Sequence, residues 1–565
     1  MGFVEEQLIE LWCALFGMTD VPPDTGFVAL GGDKETASVL ASRIDDELGV
    51  NVTPEELLQA DGLGAMTRLV RTAMDARRAS APGQPTAPAP GQLAASAPGR
   101  PAVPSGPRQG AREDRPLLSF GQQRLWFMQQ IDPATTLYNV PTVLRLRGPL
   151  DRAALGRALD RLVARHEVLR TTYTAPGGKP CQVIAPAVPQ PLPYTDLTGR
   201  ADAADEARRL AAEEAASVFD LAARPPVRAR LLRLAPDDHH LMMTFHHIAV
   251  DGWSLEIFYR ELGELYGAQA AVGPAPPDGP RLQYADYAAW QRAWLRGEEL
   301  DALIGHWRAV LGDDPQALLV PTDHPRPGTQ RFDGAVATHE IGPELTNLVW
   351  EFSRTERVTP YMTALAGFDA LLAGWSGATD VTVGTPAAGR TRPELQDLVG
   401  CLINMLPVRV GLDGAPGFRT LLSRVRAAVL DAFTHQDLPF DKLVEALVNR
   451  RRRDFLPVFR VMFSYLKERQ NPVFRGLDEC VLDLTGPQDT AKYDLSLYVE
   501  ERGERLALTL EYDTDLFGPD TPAALLTAYE RTLDEAITFP ETPVPKLSAT
   551  RFGRPGTERS THRDR

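Results

Sequence analysis

Hydrophobic positions along the chain keep two rhythms. Near the N-terminus the spacing is helical: "VEEQLIELWCALFG" places Leu8, Leu11, Trp12 and Leu15 on one face. After the loop "MTDVPPDTGFVALGGD", the stretch "KETASVLASRIDDELG" turns Val39, Leu40 and Ile44 inward and stops at Gly49. "TPEELLQADGLGAMTRLVRTAMDARR" supplies a short helix after Thr53 and a longer one. Together these predict a small four-helix bundle over residues 1–78. Residues 79–116 hold almost no large apolar side chains and many prolines, so they cannot bury enough surface to offset the entropy of ordering and read as an extended linker.

Beyond the linker, strand and helix periods alternate. "LDRAALGRALDRLVARH" carries Leu155, Leu159, Leu162 and Val163 on one helical stripe. "VRARLLRLAPDDHHLMMTFHHI" reads as a β-hairpin turning near "PDD". Past about residue 300, strands ("DVTVGTP", "INMLPVRVGL", "FRVMFSYL") mix with helices ("MTALAGFDALLAGW", "FRTLLSRVRAAVLDAFTH"). The fold class is therefore α+β and multidomain: the bundle, two mixed α/β lobes over 117–300 and 301–545, and a polar tail over 546–565.

Composition narrows the function. The net charge of −15 and pI near 5.3 give no electrostatic reason to hold nucleic acid or an anionic membrane. Cys13, Cys181, Cys401 and Cys480 are far apart, against both a zinc site and a disulfide framework. "MGFVEEQLIE" is unlike a signal peptide, and no apolar run reaches the ~18 residues of a membrane span. A cytoplasmic protein with no metal is expected.

The densest chemistry lies in "FHHIAVDGWS", residues 245–254. On a strand, Leu241, Met243, Phe245 and His247 share one face, and His240, Met242, Thr244 and His246 the other. His247 then sits at the strand end, where Asp251 and Gly252 begin a turn. A partly desolvated imidazole there can accept a proton or orient an amine. Asp251 can fix the turn by pairing with a cation, and Gly252 lets a ligand approach the backbone. Buried histidines also serve simply as satisfied core residues, and His246 fits that role better than His247. Adjacent strand residues point apart, so the histidine pairs do not make a metal set, and no local serine or cysteine offers a nucleophile.

"HHIAVDG" resembles the HHxxxDG motif of nonribosomal peptide synthetase condensation domains. "SFGQQRLWFMQQ" (119–130), "RHEVLRTTY" (165–173), "YADYAAW" (284–290), "VGCLINMLPVRV" (399–410), "HQDLPFDKLV" (435–444) and "RRDFLPVFRVMFSY" (452–465) resemble the family's other motifs, in its order. The resemblance implies two chloramphenicol-acetyltransferase-like lobes in a V, with a tunnel where donor and acceptor arms meet at His247. His247 would position or deprotonate the amine, with His246 beside it. Asp251 would be structural and paired with Arg390 of "TPAAGRTRPEL". Gly252 would line the tunnel and offer its N–H to the oxyanion. Trp253, Ser254 and Asn404 are assigned to the tunnel, Trp253 and Ser254 chiefly packing and hydrogen-bonding locally. The wording "SFGQQRLWF" and "LYNVP" resembles domains that join two L-residues. Cyclising relatives replace the histidine pair with aspartates, and epimerising relatives carry a further glutamate motif not found here.

The bundle resembles a peptidyl carrier protein, whose "GGDS" or "GGHS" serine takes phosphopantetheine. In "LGGDKETASVLASRI" Lys34 occupies the serine position, and an ammonium cannot form the phosphodiester; Thr36 and Ser38 lie further into the helix. This implies a carrier without a covalently bound cofactor. Both substrates are then expected in trans: acyl or aminoacyl groups on the phosphopantetheine arms of partner carrier proteins, with a free small-molecule amine as another acceptor. The expected product is an amide made by a monomeric acyltransferase of secondary metabolism. An ester from an alcohol, or a non-catalytic recruitment scaffold, are the alternatives.

Overall fold

The computed structural model describes residues 52–60 and 62–79, with Leu8, Trp12, Phe27, Thr36, Ala37, Leu40, Ala41 and Ile44, of a unit spanning Met1–Arg100. In the unit spanning Pro101–Arg565 it describes 106–109, 114–274, 279–280, 282–328, 330–448, 458–483 and 489–547.

In the N-terminal unit Leu8, Trp12, Leu40 and Ile44 are helical and buried, as their spacing predicts. They share a core with Phe27, Leu57, Met66 and Val70; the Trp12 and Phe27 rings lie 5.4 Å apart. The helix Pro54–Gln59 starts at a capping box, with Thr53 Oγ1 accepting from Glu56 N–H and Glu56 Oε2 accepting from Thr53 N–H. A longer helix runs Leu63–Ala79. Lys34 and Ser38 lie outside the described residues.

The large unit is built on two sheets. The first holds β1 (Asn139–Arg147), β4 (Tyr194–Asp196), β5 (Val227–Ala235), β6 (Asp238–His246) and β11 (Glu479–Asp483), in the order β11-β1-β6-β5-β4. β5 and β6 form the expected hairpin, turning at Pro236 and Asp237. The helices Arg152–Arg165 and Gly252–Gln269 pack on one face. Leu155, Leu159, Leu162 and Val163 enter that core with Leu241, Met243 and Phe245 of β6. The other face of β6 is also covered, Met242 packing with Leu232 and Leu210. A short ribbon pairs β2 (Thr171–Thr174) with β3 (Cys181–Ile184).

The second sheet orders β7 (Gly334–Ile341), β8 (Asp380–Ala387), β9 (Asn404–Gly411), β10 (Val461–Leu466), β12 (Leu495–Arg502) and β13 (Arg505–Asp513) as β7-β13-β12-β10-β8-β9. β10 is parallel to β8 and β12, and the other pairs are antiparallel. The helices Pro360–Ser376, Phe418–Thr434 and Asp520–Thr538 cover its core.

A division near residue 300 is crossed by later chain. β11 returns to pair with β1, and Leu395, Leu398, Val399, Leu402 and Phe474 are buried in the first lobe's core. The edge of β1 offers unpaired backbone groups, which β11 satisfies. The linker assignment also ends too late. Pro107 and Pro116 are buried, and Gln182 N–H donates to the Pro116 carbonyl at 2.8 Å. Among the described residues no helix is long and apolar enough to cross a membrane.

Candidate active site between the two lobes

β6 ends one residue earlier than strand alternation predicts, at His246, because β1 pairing stops at Asn139 opposite it. His247 occupies the following turn, its N–H donating to the Tyr138 carbonyl at 2.8 Å. From there its half-buried ring lines a cavity of about 350 Å³. The first lobe contributes Arg124, Tyr138 and Gly252 to this cavity; the second contributes Asn404, Ser464 and Lys492.

The neighbouring His246 faces inward. It is 1% exposed, accepts from Ile248 N–H through Nδ1 at 3.1 Å, and packs edge-on against Phe219. Burial, helped by the charges of His247, Lys492 and Arg228, pushes its pKa down to about 3. His247 is also held below the ordinary histidine range, to about 4. Burial and then the Lys492 ammonium push it down, while the Asp251 carboxylate opposes them. Both imidazoles are thus neutral at pH 7. His247 Nδ1 lies 3.7 Å from Cys401 Sγ, and burial keeps that thiol protonated.

Asp251 caps the Gly252–Gln269 helix. Its Oδ1 accepts from Ser254 N–H at 2.8 Å, and its Oδ2 from Leu402 N–H at 2.9 Å. Arg390 donates to both oxygens, Nη1 at 2.9 Å and Nη2 at 3.0 Å, and both side chains are almost fully buried. Arg390 also donates to the carbonyls of Ala388 and Leu398 at 3.0 and 3.1 Å. Asp251 therefore holds the turn after His247 to the 388–402 segment and has no oxygen left for a substrate. Gly389 permits this approach: its φ is +70°, and a Cβ there would lie 2.2 Å from the Leu402 carbonyl oxygen.

Gly252 behaves differently. It is exposed at the cavity, and a Cβ there would meet only Arg469 Nη2, at 3.7 Å. The fold does not demand glycine at this position.

The tunnel assignments need correction. Ser254 is completely buried and does not line the cavity. Its hydroxyl lies between Asp251 Oδ1 (2.7 Å), Gly400 O (2.7 Å) and Arg390 Nη2 (2.9 Å). Trp253 turns outward, 42% exposed, with Nε1 donating to the Gln396 carbonyl at 2.9 Å. Asn404 does line the cavity, but backbone groups take up its amide. Nδ2 donates to Gln436 O and Leu438 O (2.8 and 2.7 Å), and Oδ1 accepts from Met405 and Phe440 N–H, each at 3.0 Å.

The other motifs brace this turn. Ser119 caps Phe120–Ile131 and meets Tyr284 OH at 2.8 Å, which donates to Cys401 O at 2.6 Å. Gln122 Nε2 reaches Tyr173 OH at 3.2 Å and Ile248 O at 3.4 Å. Sequence reasoning did not single out Arg124, Tyr138, Cys401 or Lys492 as individual site residues. The first three lie in quoted motifs or beside one; Lys492, in "AKYDL", carried no local signal. Arg124 is paired with Asp441 at 3.5 Å. The Lys492 ammonium lies 5.5 Å from the Tyr138 ring centroid.

The family model for the condensation domain matches residues 112–551, most of the chain. The chain belongs to the condensation-domain family. A second model, the phosphopantetheine attachment site, matches residues 6–70, so a carrier-type domain precedes the condensation domain. Malpinin synthetase of Mortierella alpina is 37% identical over 521 residues, covering 92% of this chain but 6% of that protein. Phosphinothricin tripeptide synthetase PhsC of Streptomyces viridochromogenes is 40% identical over 430 residues, 74% of this chain and 39% of its own length. This chain thus spans a small part of the curated relatives it matches. Among solved structures, the X-domain in complex with OxyB from teicoplanin biosynthesis matches 79% of this chain and 99% of its own. It has a TM-score of 0.72 and 28% identity. This condensation domain is of the nonribosomal peptide synthetase type.

Proposed function

We propose that the chain joins a carrier-bound acyl or aminoacyl thioester to an amine supplied in trans, with His247 acting on the amine. The reading rests on one observation: His247 is a neutral imidazole on a cavity shared by both lobes, while Asp251 and His246 are committed to the fold. In the tautomer with the proton on Nδ1, which faces Cys401 Sγ, Nε2 carries the lone pair. It takes a proton from the amine as the nitrogen attacks the thioester carbonyl. The tetrahedral oxyanion forms near the Gly252 end of the helix, where backbone N–H groups favour negative charge, in a cavity that the Lys492 ammonium also lines. The C–S bond then breaks, and the leaving thiolate takes the proton, giving an amide and a free thiol. Placement of two tethered arms supplies a further share of the rate. Lys34, at the attachment position, would leave residues 1–78 without an arm of their own, so donor and acceptor come from other carriers or from solution. The motif wording favours joining two L-residues.

A recruitment role without catalysis is the second reading, supported by likeness to the X-domain, which is found in a complex with OxyB. The test is to incubate the full chain with aminoacyl thioesters on a partner carrier and a panel of amines and alcohols, reading products by mass spectrometry. Amide products support the first reading. Ester products alone support the alcohol-acceptor alternative. Carrier binding with no product from any acceptor supports recruitment and overturns the enzymatic reading.

A further inference from the structure

Away from the interlobe cavity, three side chains with metal-ligating atoms meet on the second lobe. His306 lies on the helix Glu298–Leu311. Asp431 and His435 lie one turn apart at the C-terminal end of Phe418–Thr434. One ligating atom from each lies within 4.8 Å of the other two. His306 Nε2 is 3.1 Å from Asp431 Oδ2, and His435 Nδ1 is 3.4 Å from Oδ1. The two imidazoles are stacked, with centroids 3.4 Å apart and planes 14° from parallel.

Despite the short distance to Asp431, His306 Nε2 is buried without a well-aligned hydrogen bond among the described residues. A buried ring nitrogen that faces a carboxylate without donating to it is costly unless something else meets it. The His435 ring is oriented by a 2.9 Å contact from Nδ1 to the Asp431 carbonyl. Trp307, 1% exposed, donates from Nε1 to the His435 carbonyl at 3.2 Å, which joins the two helices beside the cluster. The side chains of His306, Asp431 and His435 remain 23%, 41% and 29% exposed, so an ion has a path in.

We propose that His306, Asp431 and His435 form a binding site for a divalent first-row transition ion of the zinc class. Two imidazoles and a carboxylate are a donor set such ions accept, with the fourth position left to water; the stacked rings must turn about their side-chain bonds for both to point an in-plane nitrogen at one ion. The expectation of no metal rested on the adjacent histidine pairs and the scattered cysteines. It did not weigh His306, which lies far from the other two in sequence. The site has a structural consequence. Gln436, the residue after His435, begins the segment whose Gln436 and Leu438 carbonyls are held by Asn404, and Gln436, Asp437 and Asp441 line the cavity. An ion there ties Glu298–Leu311 to the root of one cavity wall.

The test uses the full chain without a polyhistidine tag, stripped of metal with a chelator. Zn²⁺ binding is followed by calorimetry and Co²⁺ binding by visible absorption. About one equivalent should bind wild type, raise its melting temperature and give tetrahedral cobalt bands. His306→Gln and Asp431→Asn should weaken binding at least about tenfold and abolish the cobalt bands. Their metal-free circular dichroism should match wild type. His339→Gln, at a histidine that pairs with Glu530 outside the cluster, should bind as wild type does. No saturable binding overturns the proposal. So does equal affinity in wild type and both cluster variants, which would mark adventitious binding elsewhere.

Discussion

Asp251→Asn is isosteric and removes only a charge and an acceptor. In the native carboxylate, Oδ2 receives Arg390 Nη1 and Leu402 N–H at 2.9 Å each, and Oδ1 receives Ser254 N–H and Arg390 Nη2 at 2.8 and 3.0 Å. Whichever way the amide is turned, its NH₂ faces two donors. The Arg390 guanidinium, already buried with Nε unpaired, keeps its charge and loses its counter-ion. Removing one partner of a buried pair costs about 3–5 kcal/mol, a large share of the ~5–15 kcal/mol that holds a typical domain. Urea unfolding of the full chain, followed by tryptophan fluorescence, should show a loss of about 3 kcal/mol or more. Arg390→Met should show a similar loss, because it strands the Asp251 carboxylate. The double variant should lose clearly less than the sum, since it removes both charges. A cost below about 1 kcal/mol for Asp251→Asn, or strict additivity in the cycle, would refute the view that this pair holds the His247 turn to the 388–402 segment.

Gly252→Ala should leave the melting temperature unchanged or slightly raised, because the new methyl meets only Arg469 and the position opens a helix. Its turnover should nevertheless fall at least about tenfold if a substrate arm runs along that backbone; wild-type turnover would remove Gly252 from the tunnel. His247, pushed down to about 4, should place the acid limb of kcat/KM well below the ordinary ~6.5. Lys492→Met should move that limb upward, and an unmoved limb would deny the Lys492 contribution. The same depression bears on stability. The unfolded chain protonates His247 first, so stability should fall as pH drops from about 6.5 towards 4 and stay level above that range. Incubation with coenzyme A and a phosphopantetheinyl transferase should leave the intact mass unchanged, owing to Lys34. A gain of one phosphopantetheine would return the N-terminal domain to a working carrier.

Local periodicity carried much of this fold. The stripe of Leu155, Leu159, Leu162 and Val163, the β5–β6 hairpin, β8 to β10 and the two long second-lobe helices lie where the apolar spacing puts them. In each case the partners are near in sequence or the pattern is long. β11 was not legible. It is a five-residue edge strand whose partner β1 lies more than 300 residues earlier, and only tertiary packing sets such a pairing. The "FHHIAVDG" stretch was legible as a strand end followed by a turn, because Asp251 and Gly252 are residues such a turn uses; that Asp251 also caps a helix was not read from it. Residue type alone did not indicate how each side chain is used. Asn404 and Ser254 are polar and close to the cavity, yet backbone groups or the Asp251–Arg390 pair take up their hydrogen bonds. Lys492 reaches the cavity from the loop before β12, a placement that only the packed lobes define.

The account turns on His247. Single-turnover formation of the amide from a carrier-bound aminoacyl thioester and an amine, compared between wild type and His247→Ala, tests it most directly. His247→Ala should lower the rate about 10²- to 10⁴-fold, the range of a positioned proton transfer. Its urea unfolding should stay near wild type, because the side chain is half-buried and bordered by the cavity. A His247→Ala protein that forms the amide at close to the wild-type rate would contradict the account.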